Sequence, residues 1–232
     1  YGKTSRYQVR SLNMYMPHGI KNPVPINRER HTSSMNPTRN KLLFFIFSGI
    51  FLLQLVLIFL SADFYGGADN ISHYRIARYA WKYPVNFFDL WGKPAFTTLV
   101  FPFALFGIQV ARLFNVLAGL AAIFFTIRTM RLLGEKENLL TIVFIAFSPV
   151  YFLLMQSCLT EILFSLVLVL SFWLFFKERY GLAALVLSFL PFARTEGILI
   201  FPLFVAALAL GRQYRAIALL ATGFLFYTLA GY

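Results

Sequence analysis

Residues 42–60 read LLFFIFSGIFLLQLVLIFL, a run without a single charged side chain. Coiled as a helix, it reaches about 28 Å, close to the thickness of the hydrocarbon core of a bilayer. A cleaved signal peptide is the competing reading. The apolar core of a signal is only about 7–15 residues long, however, and LSA before Asp63 is a poor cleavage site. A retained anchor is expected, and it identifies the solvent in which the rest of the chain has to fold.

The composition agrees with that solvent. The chain of 232 residues is 59% hydrophobic and only 13% charged, with 28 Phe, whereas a soluble domain carries about 25% charged residues. Further apolar segments fall at about 106–127, 139–156, 159–176, 181–193, 197–210 and 216–232. Those at 181–193 and 197–210 are short for a full crossing, so they tilt, thin the bilayer or enter part-way. The expected fold is an all-α polytopic membrane protein with about seven hydrophobic segments. Its first loop, 63–95, is read as exoplasmic and as carrying short amphipathic helices. In domain terms, 1–41 is a basic tail and 42–232 a membrane domain. The chain begins at Tyr1 and stops at Tyr232 inside an apolar run, which reads as a fragment. Residues 1–34 lack periodicity and read as disordered tail or upstream read-through, while MNPTRNK (35–41) leads into the first span like a natural start.

Charge sets the orientation. The net charge is +12, and the first 41 positions hold Lys3, Arg6, Arg10, Lys21, Arg28, Arg30, Arg39 and Lys41 against Glu29 alone. If every segment crosses, 128–138, 177–180 and 211–215 join this tail on one side, bringing Arg128, Arg131, Lys136, Lys177, Arg179, Arg212 and Arg215. That bias places the N-terminus in the cytoplasm and the chain as a multi-pass protein of the cell (inner) membrane. It also accounts for the basic charge without nucleic acid, which is not expected as a partner. The single Cys158 excludes an internal disulfide framework, and His18, His31 and His73 lie too far apart for a zinc site of ordinary spacing. No phosphate-cradling glycine loop or nucleophile-elbow motif occurs. No cofactor is therefore assigned, and a divalent metal has no support in the sequence.

The opposite side collects Asp63, Asp69, Asp89, Glu161 and Glu196 together with His73, Arg75, Arg78, Lys82, Lys93 and Arg194. Ionisable groups at a membrane boundary are costly unless paired or solvated, so such a cluster is a candidate site. Gly66 and Gly67 permit a sharp turn off the first span, and DNISHYRIARYAWKY (69–83) then reads as a short amphipathic helix. Asp69, Ser72, His73 and Ile76 share one side of it at i, i+3, i+4 and i+7. Asp69 reads either as an N-cap or as a catalytic carboxylate facing the membrane surface. In WGKPAFTTLVFPFALFG (91–107), Pro94 suits a first helical turn. Lys93 there either snorkels or supplies a fixed cation for a phosphate. Trp81 and Trp91, with Tyr65, Tyr74, Tyr79 and Tyr83, fit an interfacial belt or a surface for stacking on a sugar.

These stretches, with ARLFNVLAGLAAIFFTIRTMRLLG (111–134), SPVYFLLMQSCLTEILFSLVLVLSFWLFF (148–176) and FARTEGILIFPLF (192–204), resemble the GT-C superfamily of membrane glycosyltransferases. The nearest types are glycosyltransferase family 39, the protein mannosyltransferases and the aminoarabinose transferases. The resemblance covers about 36–232, the N-terminal half of such an enzyme. It implies a sugar taken from a polyprenyl-phosphate donor and passed to a glycan, lipid or protein acceptor outside the cytoplasm. By position, Asp69 matches the family's loop-one acid, thought to act as a catalytic base or to orient the acceptor. Gly92-Lys93-Pro94 matches a Lys-Pro-Pro motif, with Ala95 in place of the second proline, a departure that bears on where Lys93 is held. Glu161 matches the acid after the third span, and Arg194 and Glu196 match a polar pair before a later one. His73 and Arg75 join Lys93, Glu161, Arg194 and Glu196 as donor-phosphate or substrate-binding candidates. Simpler readings stand beside these: Glu161 as a helix cap, and Arg194 as the partner of Glu196. Implied chemistry is a single in-line displacement, with a carboxylate taking the acceptor proton and a cation stabilising the departing lipid phosphate. A transporter or lipid flippase, or a non-catalytic membrane subunit, is the alternative.

Overall fold

Helix is the only regular structure among the described residues, 37–61, 66–135 and 139–231, of the computed structural model. The tail before Pro37, together with Asp63, Tyr65 and Lys136, lies outside them. In chain order the α-helices are α1 (Pro37–Leu60), α2 (Gly67–Tyr79), α3 (Pro94–Ala104), α4 (Ile108–Leu132), α5 (Leu139–Ala146), α6 (Pro149–Met155), α7 (Glu161–Phe176), α8 (Tyr180–Leu187), α9 (Leu190–Ala193), α10 (Phe201–Leu210), α11 (Tyr214–Leu219) and α12 (Thr222–Ala230), with 3-10 turns at Pro84–Phe88 and Thr195–Ile200.

Among the described residues, two helices are long and apolar enough to cross a membrane, Asn40–Leu60 within α1 and Ile108–Leu132, which is α4. Their surroundings differ. Only 17% of the apolar window of α1 is buried inside the protein, against 50% for α4. The core helix of a soluble protein is mostly covered, whereas α1 leaves Phe44, Phe45, Phe59 and Leu60 open to the surroundings. α4 instead packs along α7 more extensively than any other pair of helices. Its buried side carries Ala111, Ala118, Gly119 and Ala122, small residues that let backbones approach. A Cβ on Gly119 would lie 2.8 Å from Cγ of Met155 on α6.

The other apolar segments are shorter, and most are interrupted. The run 139–156 divides into α5 and α6 at Ser148, whose extended backbone (φ −56°, ψ 124°) is the conformation a following proline imposes. The run 181–193 divides at Ser188–Phe189, ahead of Pro191. Pro191 has no N–H for the Leu187 carbonyl and its ring crowds that carbonyl; at the same point Ser188 Oγ accepts the N–H of Gly223 at 3.1 Å, and a Cβ on Gly223 would sit 2.2 Å from the Ser188 carbonyl oxygen. The run 197–210 begins as the 3-10 turn before α10, and 216–232 is split between α11 and α12.

A cluster of buried side chains, including Ala77, Phe96, Val100, Ala111, Cys158, Leu163 and Ala193, joins α2, α3, α4, α7 and α9. The candidate site stands on this cluster.

Candidate functional site

α2 starts one turn earlier than a cap at Asp69 requires. Gly66 is the N-cap, with φ 98°, and its carbonyl accepts the N–H of Asn70 at 3.3 Å. The positive φ favours glycine, and a Cβ there would also lie 2.6 Å from Leu159 Cδ1. The capping reading of Asp69 is thereby corrected: it is the third helical residue, exposed, and engages no hydrogen bond or ion pair among the described residues. Asn70, Ala77 and His73 form the buried side of α2, and Asn70 Oδ1 accepts the N–H of Cys158 at 2.8 Å. This bond fixes the start of α2 on the connection between α6 and α7.

His73 is 92% buried, its ring edge-on to Phe96 at 5.8 Å. Its Nδ1 has no hydrogen-bond partner. Burial pushes the imidazole below its ordinary value; the nearby charges of Asp69 and Glu161 oppose that shift and Lys93 reinforces it. His73 is thus a buried imidazole that feels charges on α2, at the start of α3 and on α7.

Lys93 is the N-cap of α3, with φ 60° and ψ 101°, and Pro94 and Ala95 fill the first two helical positions. The N–H at the second position has no intrahelical acceptor, so alanine in place of a second proline leaves this helix start intact. The approach is braced from two sides. Asp89 Oδ1 accepts the N–H of Gly92 at 2.7 Å, and Thr97 Oγ1 donates to the Gly92 carbonyl at 2.9 Å. Lys93 Nζ then reaches Thr195 Oγ1 at 3.2 Å, across 102 positions of sequence.

Glu161 opens α7 and makes no side-chain cap. Its Oε1 instead accepts from Arg194, whose other terminal nitrogen donates to Glu196 Oε1 at 2.8 Å. Arg194 therefore pairs with both acids, more than the simple Arg194–Glu196 pair. The Arg194 hydrogen bond draws Glu196 below the usual carboxylate range, and the same bond raises Arg194. Glu161 Oε2 is buried and has no partner.

The geometry thus gathers Asp69, His73, Lys93, Glu161, Arg194 and Glu196, and leaves Arg75 apart. Arg75 is exposed and lies about 200° around α2 from His73. Sequence reasoning missed three buried polar residues that hold the site together. Arg112 donates to the carbonyls of Gln156 and Ile58 and to Ser61 Oγ, tying the ends of α1 and α6 to α4. Asn115 Nδ2 donates to the carbonyls of Ser157 at 2.8 Å and Leu159 at 2.7 Å, and Asn70 holds the same connection from the other side. The signal for Arg112 was present: a lone cation inside an apolar run. Chemically, the cluster offers an unengaged carboxylate, a neutral imidazole with an unpaired nitrogen, and two fixed cations, Arg194 held by two acids and Lys93 by the Thr195 hydroxyl. The exposed rings of Trp81 and Trp91 stand beside it in sequence. Comparison of the chain with family models, with curated proteins and with solved structures finds no match.

Proposed function

We propose that the chain is part of a membrane glycosyltransferase that moves a sugar from a polyprenyl-phosphate donor to an exoplasmic acceptor. The observation that carries this reading is the convergence of Asp69, His73, Lys93, Glu161 and Arg194 on one cluster from four separate stretches of chain. Asp69 is the base that accepts the proton of the acceptor hydroxyl as the anomeric carbon is attacked; the bond to the donor phosphate breaks on the opposite face, with inversion. Lys93 and Arg194 stabilise the phosphate charge as the lipid departs. Preorganised cations suit that task because the acids behind Arg194 and the Thr195 hydroxyl on Lys93 fix their positions before substrate arrives. Glycan, lipid and protein acceptors are all compatible with an open carboxylate at the surface.

In this reading the pairs α5–α6, α8–α9 and α11–α12, and the 3-10 turn with α10, each serve as one crossing. With α1, α4 and α7 they make seven, with the N-terminus in the cytoplasm of a cell (inner) membrane. A transporter or flippase needs ionisable groups at mid-membrane on broken helices, whereas Asp69, Lys93, Glu161 and Arg194 stand at or next to the ends of helices. The test is transfer by purified full-length protein in lipid, with a polyprenyl-phospho-sugar donor against a free nucleotide sugar. Turnover with the lipid-linked donor alone is expected. Robust turnover with the nucleotide sugar, in a system free of polyprenyl phosphate, would overturn the reading.

A further inference from the structure

At the far end of α1 and α4 from this cluster, a cavity of about 310 Å³ opens between the two helices. From Arg112, beside the site, to Arg128, beside the cavity, is about 24 Å along α4. Leu43, Phe44 and Phe47 of α1 and Phe124 of α4 line it, and Arg128 and Arg131 stand at its end. The two arginines are three positions apart and so share one side of α4. The Arg128 guanidinium lies over the Phe124 ring at 4.9 Å, which joins the cationic and apolar parts of the wall. Phe44 is 68% exposed and Phe124 42% exposed. Lys41 adds a further cation on the same end of α1, and Glu135, which follows α4, is not part of the lining.

We propose that this groove binds one anionic phospholipid, its phosphate at Arg128 and Arg131 and an acyl chain along Leu43, Phe44, Phe47 and Phe124. The two halves of the wall together select this ligand. A free phosphate would leave the aromatic wall uncovered, and a zwitterionic lipid would bring its own cation towards two guanidinium groups. Paired arginines suit a phosphate because the planar guanidinium can present parallel N–H donors to its oxygens. Basic pockets between membrane helices take anionic headgroups for this reason. The groove lies between the two helices that, among the described residues, are long and apolar enough to cross a membrane, a position in which lipid would surround it. The assignment does not depend on transfer chemistry at the other end.

The experiment is native mass spectrometry with thermal melting of the purified full chain, using phosphatidylglycerol, phosphatidylcholine and inorganic phosphate as separate probes. Phosphatidylglycerol should be retained at least tenfold better than phosphatidylcholine and should raise the melting temperature, and inorganic phosphate should do nothing. Arg128→Gln with Arg131→Gln should abolish the preference, Arg128→Lys with Arg131→Lys should restore part of it, and Lys82→Gln should leave it intact. Equal retention of phosphatidylcholine, a preference that survives the double glutamine change, or stabilisation by phosphate alone overturns the proposal. If the glutamine variant does not fold, photoactivatable phosphatidylglycerol on the unaltered chain decides. Cross-links must fall within 43–47 and 124–131, and cross-links confined elsewhere overturn the assignment.

Discussion

Lys93 carries a backbone conformation that side-chain-bearing residues avoid, φ 60° and ψ 101°. Pro94 narrows its options, since a proline ring disfavours helical backbone at the residue before it. Lys93→Gly relieves about 1–2 kcal/mol of left-handed strain, against roughly 0.4–1 kcal/mol of added unfolded-state entropy. The melting temperature is therefore expected to hold or rise while transfer falls, and a clear drop in melting temperature would refute the strain argument. Asp69→Asn removes the unengaged carboxylate but no hydrogen bond, so folding should be nearly unchanged while transfer drops by about 10²–10⁴. Asp89→Asn is the informative comparison, because an amide oxygen can still accept the Gly92 N–H. Retained activity in Asp69→Asn with loss in Asp89→Asn would move the base to Asp89. His73 is held below its ordinary value of 6.5 by burial. Its folded-state value lies below its unfolded one, so the stability it contributes is complete above about pH 6.5 and is lost as pH falls through the folded value. Melting temperature should decline across that window in the native chain and decline less in His73→Phe; identical pH profiles would rule His73 out. The types and positions of these residues were legible in the sequence. Their mutual placement was not, because the Lys93–Thr195 bond spans 102 positions and no local pattern encodes it.

Among the elements, α2 and α3 follow the sequence closely, since glycines, a proline and apolar spacing act within a few residues. The break between α5 and α6 has a local cause in Pro149 that the apolar run concealed. The break between α8 and α9 has one in Pro191, and Gly223 crosses closely against Ser188 there. A methyl group at 2.2 Å from a backbone oxygen cannot be accommodated without moving one of the two segments. Gly223→Ala should thus destabilise by roughly 1–3 kcal/mol, the range for forcing extra volume into a packed site, measured as a lower thermal midpoint in detergent. An unchanged midpoint would mean that the crossing is loose. Apolar length was readable as a boundary on each segment, and the prolines that divide two of them were in view; how closely one segment crosses another, as Gly223 does Ser188, was not.

For the whole molecule, the proposed orientation places Val85 and Glu135 on opposite sides of the membrane. Val85 suits labelling because it is 73% exposed in the 3-10 turn Pro84–Phe88, whereas Asn86 Nδ2 is engaged with the Ile76 carbonyl. Cys158 gives little background, being buried with its thiol pushed up to about 12. Val85→Cys and Glu135→Cys should react with an impermeant thiol reagent from opposite faces, and reaction of both from one face would overturn the orientation. The linkage from Lys93 to Thr195, and from Glu161 to Arg194, also has a consequence in time. The chain emerges from the ribosome N-terminus first, so α2, α3 and the start of α7 exist before their last partners do. Glu161 must wait until residue 194 arrives, and Lys93 until residue 195, before either finds the neighbour that holds it. Until that short stretch has been made, the nascent chain holds α1 to α9 but an open circuit of charge at its surface, and FARTEG is the link that closes it.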